Sequence, residues 1–175
     1  MKHSIRLTGT GGQGLILAGI ILAEAALLDG KNAIQSQSYG PEARGGASKA
    51  EVIIADEAIH FPKVGESDYL LCMSEKAYEK YSANMKQDSV LILDTTFVDE
   101  CDNPKAAKTY ALPITEAAIN ATGRDLTANI CALGVMSALG LVSEEVLKKA
   151  ILNRIPKGTE ELNMKAFEAG KNAIK

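Results

Sequence analysis

The residues best suited to chemistry come early. Gly9-Thr10-Gly11-Gly12-Gln13-Gly14 follows a short apolar segment and precedes an Ala/Leu-rich run. Glycines at 9, 11 and 14 between a strand and a helix allow a tight turn and close backbone approach. The free N–H groups at such a helix start attract a phosphate. A dinucleotide reading also asks for Asp or Glu at the end of the second strand, about 20 residues on, to bind the ribose hydroxyl. The sequence has Gln35-Ser36-Gln37-Ser38 there, which disfavours NAD and points to a different phosphate-bearing ligand. No Gly-Lys-Ser/Thr follows, so this is not a Walker A loop. The plain alternative is a tight strand-to-helix turn that binds nothing.

A second constellation is Ser38-Tyr39-Gly40-Pro41-Glu42-Ala43-Arg44-Gly45-Gly46. The planar fork of Arg44 suits a phosphate or carboxylate, and Tyr39 suits stacking on a flat ligand or a partner. The alternative is a β-hairpin loop in which the glycines supply positive φ and Arg44 pairs with a nearby acid. Ser74 and Asp94-Thr95-Thr96 end presumed central strands, the edge at which open α/β sheets bind ligands; capping and turn hydrogen bonds are the favoured account of each. Asn129 opens a nearly apolar helix, where a buried amide must brace a loop or meet a partner. Asn163 reads as a cap-region residue. His3 and His60 fall in no triad pattern, and no catalytic residue is assigned.

Composition sets the frame for these groups. At 175 residues the chain fits one domain spanning 1–175, with a core of ordinary size. With 46% hydrophobic and 23% charged residues it reads as a globular chain, not a disordered or fibrous one. Nineteen Lys and Arg against 22 Asp and Glu give a net charge of −3, so neither nucleic acid nor an anionic membrane is expected as a partner. Cys72, Cys101 and Cys131 lie far apart with no C-x-x-C. Iron–sulfur clusters and structural zinc each want about four clustered ligands, so no metal is expected on this chain. An odd cysteine count fits a reducing, cytoplasmic setting. The run from Leu15 to Leu28 imitates a signal peptide, but a glycine cluster separates it from the basic start, and it is too short to span a bilayer.

The elements that position the motifs follow from periodicity. Strands are expected at 4–8, 32–38, 48–55, 69–73, 90–93 and 109–112. Helices are expected from about Gly12 to Leu28, Glu75 to Met85 with Ser74 as N-cap, after Pro113 at a first helical position, Thr127 to Leu139, Ser143 to Arg154, and Thr159 to Gly170. Ala50, Val52 and Ile54 alternate with Lys49 and Glu51, which reads as a half-exposed strand. The 32–38 and 48–55 strands are joined by a loop too short for a parallel crossover, so they should pair antiparallel. The expected fold is a three-layer, Rossmann-like α/β domain: a mostly parallel, mixed sheet with a helical C-terminal segment.

Taken together, the residues resemble the gamma subunits of 2-oxoacid:ferredoxin (acceptor) oxidoreductases. The resemblance rests on Gly9–Gly14, on Ser38–Gly46 followed by Ala50-Glu51-Val52, on Asn129-Ile-Cys-Ala-Leu-Gly134, and on Glu161-Leu-Asn163 with Ala166-Phe167 and Gly170. It covers about Ser4 to Gly170 and is most like the 2-oxoglutarate type. It implies a complex that converts a 2-oxoacid and coenzyme A to an acyl-CoA and carbon dioxide, passing two electrons to ferredoxin. Thiamine diphosphate and the iron–sulfur clusters would then sit on alpha, beta and delta partners, and this chain would serve coenzyme A binding and assembly. Gly9, Gly11, Gly12, Gln13 and Gly14 would hold phosphates, with Ser38, Tyr39 and Arg44 at the rim or at a subunit contact. Gln37 and Ser38 suit the 3′-phosphate of coenzyme A, which an acid would repel. The competing readings are a stand-alone NAD(P)- or nucleotide-binding protein and a purely structural assembly subunit whose apolar helices near Ile130 and Leu139 meet a partner.

Overall fold

A computed structural model describes residues 1–37 and 46–174. In chain order the elements are β1 (Lys2–Thr10), α1 (Leu15–Leu28), β2 (Asn32–Gln37), β3 (Ala47–Ala55), β4 (Ser67–Cys72), α2 (Glu75–Tyr81), β5 (Met85–Asp94), β6 (Ala106–Leu112), α3 (Ile114–Thr122), α4 (Ala128–Ala138), α5 (Glu144–Arg154) and α6 (Glu160–Ala173). The strands form one sheet in the order β2-β3-β1-β4-β5-β6. β1, β4, β5 and β6 are parallel, and β3 runs antiparallel to both of its neighbours, β1 and β2. The sheet is therefore mixed, as the short β2–β3 connection requires.

Alternation along the strands gives the sheet two dissimilar faces. Ile5, Leu7, Ala50, Val52, Ile54, Leu71 and Ile92 join one large core with α1, α3, α4, α5 and α6. Leu70, Cys72, Leu91 and Leu93 join a smaller one with Ala77 and Tyr81 of α2. α1 is apolar around most of its circumference because it is enclosed by β1, β2 and β3 on one side and by α4 and α5 on others. Every residue of α4 from Ala128 to Met136 is buried inside the chain, so this helix is core and has no apolar face left for a partner. α4 and α6 meet at backbone contact. A Cβ on Gly170 would collide with the Cys131 carbonyl, and one on Gly134 with the Phe167 carbonyl.

Four sequence expectations need correction. β3 is not half-exposed: Glu51 is only 7% exposed and Ile53 is fully covered. The reason is a partner 45 residues away. Arg6 of β1 donates Nε to Glu51 at 2.8 Å, with Nη2 2.7 Å from the same carboxylate, and also donates to the carbonyls of Val64 and Gly65. Met85 does not continue the stripe of α2. The helix ends at Tyr81, a 3₁₀ turn covers Ser82–Asn84, and Met85 opens β5 fully buried. α1 starts at Leu15, not Gly12, because Gly12 and Gly14 adopt left-handed φ of 90° and 73°. Pro113 stands at the cap, one residue ahead of α3.

Candidate functional site

Chain connectivity reverses between β1 and β4: β1 leads through α1 to β2 on one side, while β4 and β5 continue on the other. Ligands of open α/β sheets bind at such a switch point, outside the C-terminal ends of the strands. The Gly9–Gly14 loop lies there. Gly14 caps α1 with no side-chain hydrogen bond, and the first turn carries no acid. The first backbone N–H of α1 to find a carbonyl four residues back is that of Ala18, bonded to Gly14. The amides of Leu15, Ile16 and Leu17 are thus the orphan donors of a helix start. They face the end of the chain's most apolar helix, whose dipole favours an anion.

The loop is held from three directions. Gln13 folds back toward the sheet: its Oε1 accepts from the Thr10 N–H at 2.7 Å and its Nε2 donates to the Met73 carbonyl at 3.0 Å. That bridges the ends of β1 and β4, and the Gln13 backbone N–H donates to the Thr10 carbonyl at 3.4 Å. Asn129, at the start of α4, donates Nδ2 to the Gly14 carbonyl at 3.1 Å, which is the loop-bracing role open to it in the sequence. Thr10 pairs with Ala47, so β3 begins beside the glycine loop. Ser38, Tyr39 and Arg44, the other sequence candidates, lie outside the described residues; Gln37 and Ala47, which flank their segment, end at this same edge.

Two cavities share the Thr10-Gly11-Gly12 ridge. One, of about 340 Å³, adds Gly14, Leu15, Ile16, Ser48 and Lys49; the Lys49 ammonium itself lies 3.4 Å from the Glu51 carboxylate and over the Tyr81 ring. The other, of about 270 Å³, adds Gln13, Phe97, Thr115, Asp125, Leu126 and Ala128. Sequence reasoning missed Phe97, Asp125, Leu126 and Lys49, since nothing local marks them and only the fold brings them to the loop. Asp94 is fully buried behind this wall. Its carboxylate accepts from the Thr115 hydroxyl at 2.6 Å, from the Thr115 N–H and from the Thr96 N–H at 3.1 Å. Asp94 thus caps α3 and the following turn, and Ser74 caps α2 through the Ala77 N–H; both are structural, as capping predicts. Asn163 likewise donates to the Thr159 carbonyl at 2.9 Å.

Burial pushes the Cys72 and Cys131 thiols up to about 12, so neither is a thiolate at neutral pH. Among the described residues no group of three or more His, Cys, Asp or Glu side chains is placed to hold a metal ion. None of their helices is long and apolar enough to cross a membrane.

This is an α/β fold with a mixed six-stranded sheet and a glycine loop at its switch point, and known proteins share it over nearly its full length. Residues 4–173 match the model of the pyruvate ferredoxin/flavodoxin oxidoreductase family. A 2-oxoglutarate synthase subunit KorC from Methanocaldococcus jannaschii is 49% identical, over 100% of this chain and 95% of that one. The crystal structure of a keto/oxoacid ferredoxin oxidoreductase gamma subunit from Geobacter sulfurreducens superposes with a TM-score of 0.88 at 46% identity, covering 99% of this chain and 96% of that one. A 2-oxoglutarate:ferredoxin oxidoreductase from Magnetococcus marinus, solved with 2-oxoglutarate, coenzyme A and succinyl-CoA, shares the fold at a TM-score of 0.88 and 24% identity, over 98% of this chain and 31% of that one. The chain belongs to the pyruvate ferredoxin/flavodoxin oxidoreductase family, in which it is the gamma subunit of a 2-oxoacid:ferredoxin oxidoreductase. A gamma subunit implies other subunits in the same complex.

Proposed function

We propose that this subunit forms the coenzyme A side of a complex that oxidatively decarboxylates 2-oxoglutarate to an acyl-CoA and reduces ferredoxin. The substrate follows the 49% identical KorC relative. Alpha, beta and delta subunits in the cytoplasm would carry thiamine diphosphate and the iron–sulfur clusters, which supply the decarboxylation and electron-transfer chemistry. On this chain, Gly9, Gly11, Gly12, Gln13 and Gly14 would hold phosphates of coenzyme A through backbone N–H groups, with Ser38, Tyr39 and Arg44 at the rim. The observation that carries the reading is the uncapped start of α1 behind two left-handed glycines, which line a cavity together with Ser48. The end of β2 agrees with it. Gln35 donates to Gln37 at 2.8 Å, and no acid stands in that strand to take a nicotinamide dinucleotide's ribose.

Gly12 is the position to test. Its φ of 90° strains any L side chain, and no heavy atom lies within 4 Å of a Cβ built there, so a substitution disturbs the loop without a core clash. Gly12→Val in the assembled complex is expected to raise the KM for coenzyme A at least tenfold, with the KM for 2-oxoglutarate and the iron and thiamine diphosphate contents unchanged. An unchanged coenzyme A KM in an intact complex would overturn the reading.

A further inference from the structure

A further cavity, of about 220 Å³, lies in the helical layer, and no residue of the Gly9–Gly14 loop lines it. It opens between α1, the start of α4 and the start of α6, with apolar walls of Leu17, Ile130, Ile155 and Leu162. Asn163 stands among them, only 8% exposed. Its Nδ2 donates to the Thr159 carbonyl at 2.9 Å, and its Oδ1 accepts no hydrogen bond among the described residues. A side-chain amide has two N–H donors and an acceptor oxygen, so one donor and the acceptor of Asn163 are left over in an apolar setting. A buried polar group in that condition costs free energy until a partner satisfies it. The mouth favours negative charge. Among the described residues lining the cavity, Arg124 is the charged one, exposed and with no hydrogen bond or ion pair to its guanidinium. α4 and α6 begin here behind Thr127 and Thr159, neither of which forms a side-chain cap bond; their hydroxyls donate instead to the carbonyls of Arg124 and Pro156. The acids of the first turn of α6 are occupied, Glu160 by the Gly158 N–H and Glu161 by Lys165. Two helix starts and a guanidinium therefore meet at one opening, which suits a carboxylate.

We infer that this cavity is the socket for another subunit of the same complex, and that it takes a segment carrying an aliphatic side chain next to an Asp or Glu. The aliphatic group fills the space between Leu17, Ile155 and Leu162. A peptide group of the segment pairs with the Asn163 amide, and the acid meets Arg124. Three features select a polypeptide over a small ligand. The volume falls below the roughly 300–1,000 Å³ of small-molecule pockets and suits a single anchoring side chain. One unused donor beside one unused acceptor is the complement of a peptide N–H and C=O. An apolar pocket with an arginine at its rim has the make-up of a protein–protein contact whose binding energy is concentrated in a few residues. The inference does not depend on the coenzyme A reading; it needs only that a gamma subunit has partner subunits.

The test uses the assembled complex. Arg124→Glu changes an exposed side chain that has no partner within the chain to lose. It is expected to raise the concentration at which the diluted complex releases this subunit by about tenfold at low salt and by less at high salt, while Arg124→Lys keeps most of the affinity. Benzoylphenylalanine in place of Lys157, an exposed residue beside the Pro156 rim, should cross-link on irradiation to another subunit, at an aliphatic residue next to Asp or Glu. Reversing the charge of that acid should restore the affinity lost in Arg124→Glu. An unchanged release concentration, a cross-link found only within this chain or to a second copy of it, or a reversed acid that fails to restore binding would overturn the inference. So would a raised KM for coenzyme A with an unchanged release concentration, which would make Arg124 a cofactor contact.

Discussion

Asn129 donates its side-chain amide to the carbonyl of Gly14 at 3.1 Å, joining the start of α4 to the cap of α1 across 115 residues of sequence. The contact is close enough that a Cβ on Gly14 would stand 2.5 Å from Asn129 Nδ2. The glycine loop is therefore positioned by the C-terminal half of the chain as well as by the strand that leads into it.

Removing that brace should soften the loop. Asn129→Ala is expected to lower the unfolding free energy by about 1–2 kcal/mol, because the Gly14 carbonyl keeps the Ala18 N–H as its other partner. Asn129→Asp should cost more, since a carboxylate facing a carbonyl oxygen has no proton to donate. Urea denaturation of the three proteins checks the order; an aspartate variant as stable as wild type would contradict it.

The α4–α6 contact should tolerate no side chain at Gly170, whose Cβ would fall on the Cys131 carbonyl. Gly170→Ala must push two helix backbones apart, at a cost of about 3 kcal/mol, the upper end for overpacking. The helix-propensity gain of alanine over glycine, about 1 kcal/mol, acts in the opposite direction and is smaller. A thermal melt at or above that of wild type would show that the helices separate freely.

Arg6 and Glu51 form a buried pair, with side chains 3% and 9% exposed. Removing the Glu51 charge strands the Arg6 guanidinium, whereas Glu51 also has Lys49 Nζ at 3.4 Å, so Glu51→Gln is expected to destabilise by about 3 kcal/mol. Arg6→Met should cost a similar amount, also freeing the Val64 and Gly65 carbonyls. The double variant should cost less than the sum of the singles. Additive losses in denaturant titrations would mean that the two charges do not stabilise each other.

His3 gives the fold a mild acid sensitivity. Burial pushes its pKa below the ordinary 6.5, although Asp68 pulls the other way, and its ring meets Tyr69 edge-on at 5.5 Å. The folded chain then holds this proton less tightly than the unfolded chain. The contribution is fully present above pH 6.5 and is lost as pH falls below it toward the folded value. Glu144 and Glu168, held below 4.5 by Lys148 and Lys171, titrate outside this window. Between about pH 7.5 and about pH 5.5 the wild-type Tm should drop about 1–2 °C more than that of His3→Gln. Parallel curves for the two proteins would remove His3 as the cause.

The signals that could be read directly were local ones. Gly9, Gly11 and Gly14 mark the loop because a strand that must turn at once into a helix needs residues free of Cβ constraints. Ser74 marks its helix start by its own hydroxyl, and the short segment between Gln37 and Ala47 leaves β2 and β3 no choice but to run antiparallel. Together with the family motifs, these determined the α/β class, the place of the glycine loop and the kind of subunit.

Tertiary structure decided everything that depends on a distant partner. Glu51 alternates with apolar neighbours like a solvent-facing residue, and Arg6 on the adjacent strand, with Lys49 beside it, offsets the cost of its burial. Gln13 reads as a ligand group in the sequence, and only the fold shows its amide bonded to the Met73 carbonyl. Phe97 and Leu126 stand 29 positions apart in the sequence and in separate turns, and only the sheet edge brings them to one cavity. Short-range turns and caps are written in neighbouring residue types, whereas burial, charge pairing and cavities belong to groups that meet only after the chain has closed on itself.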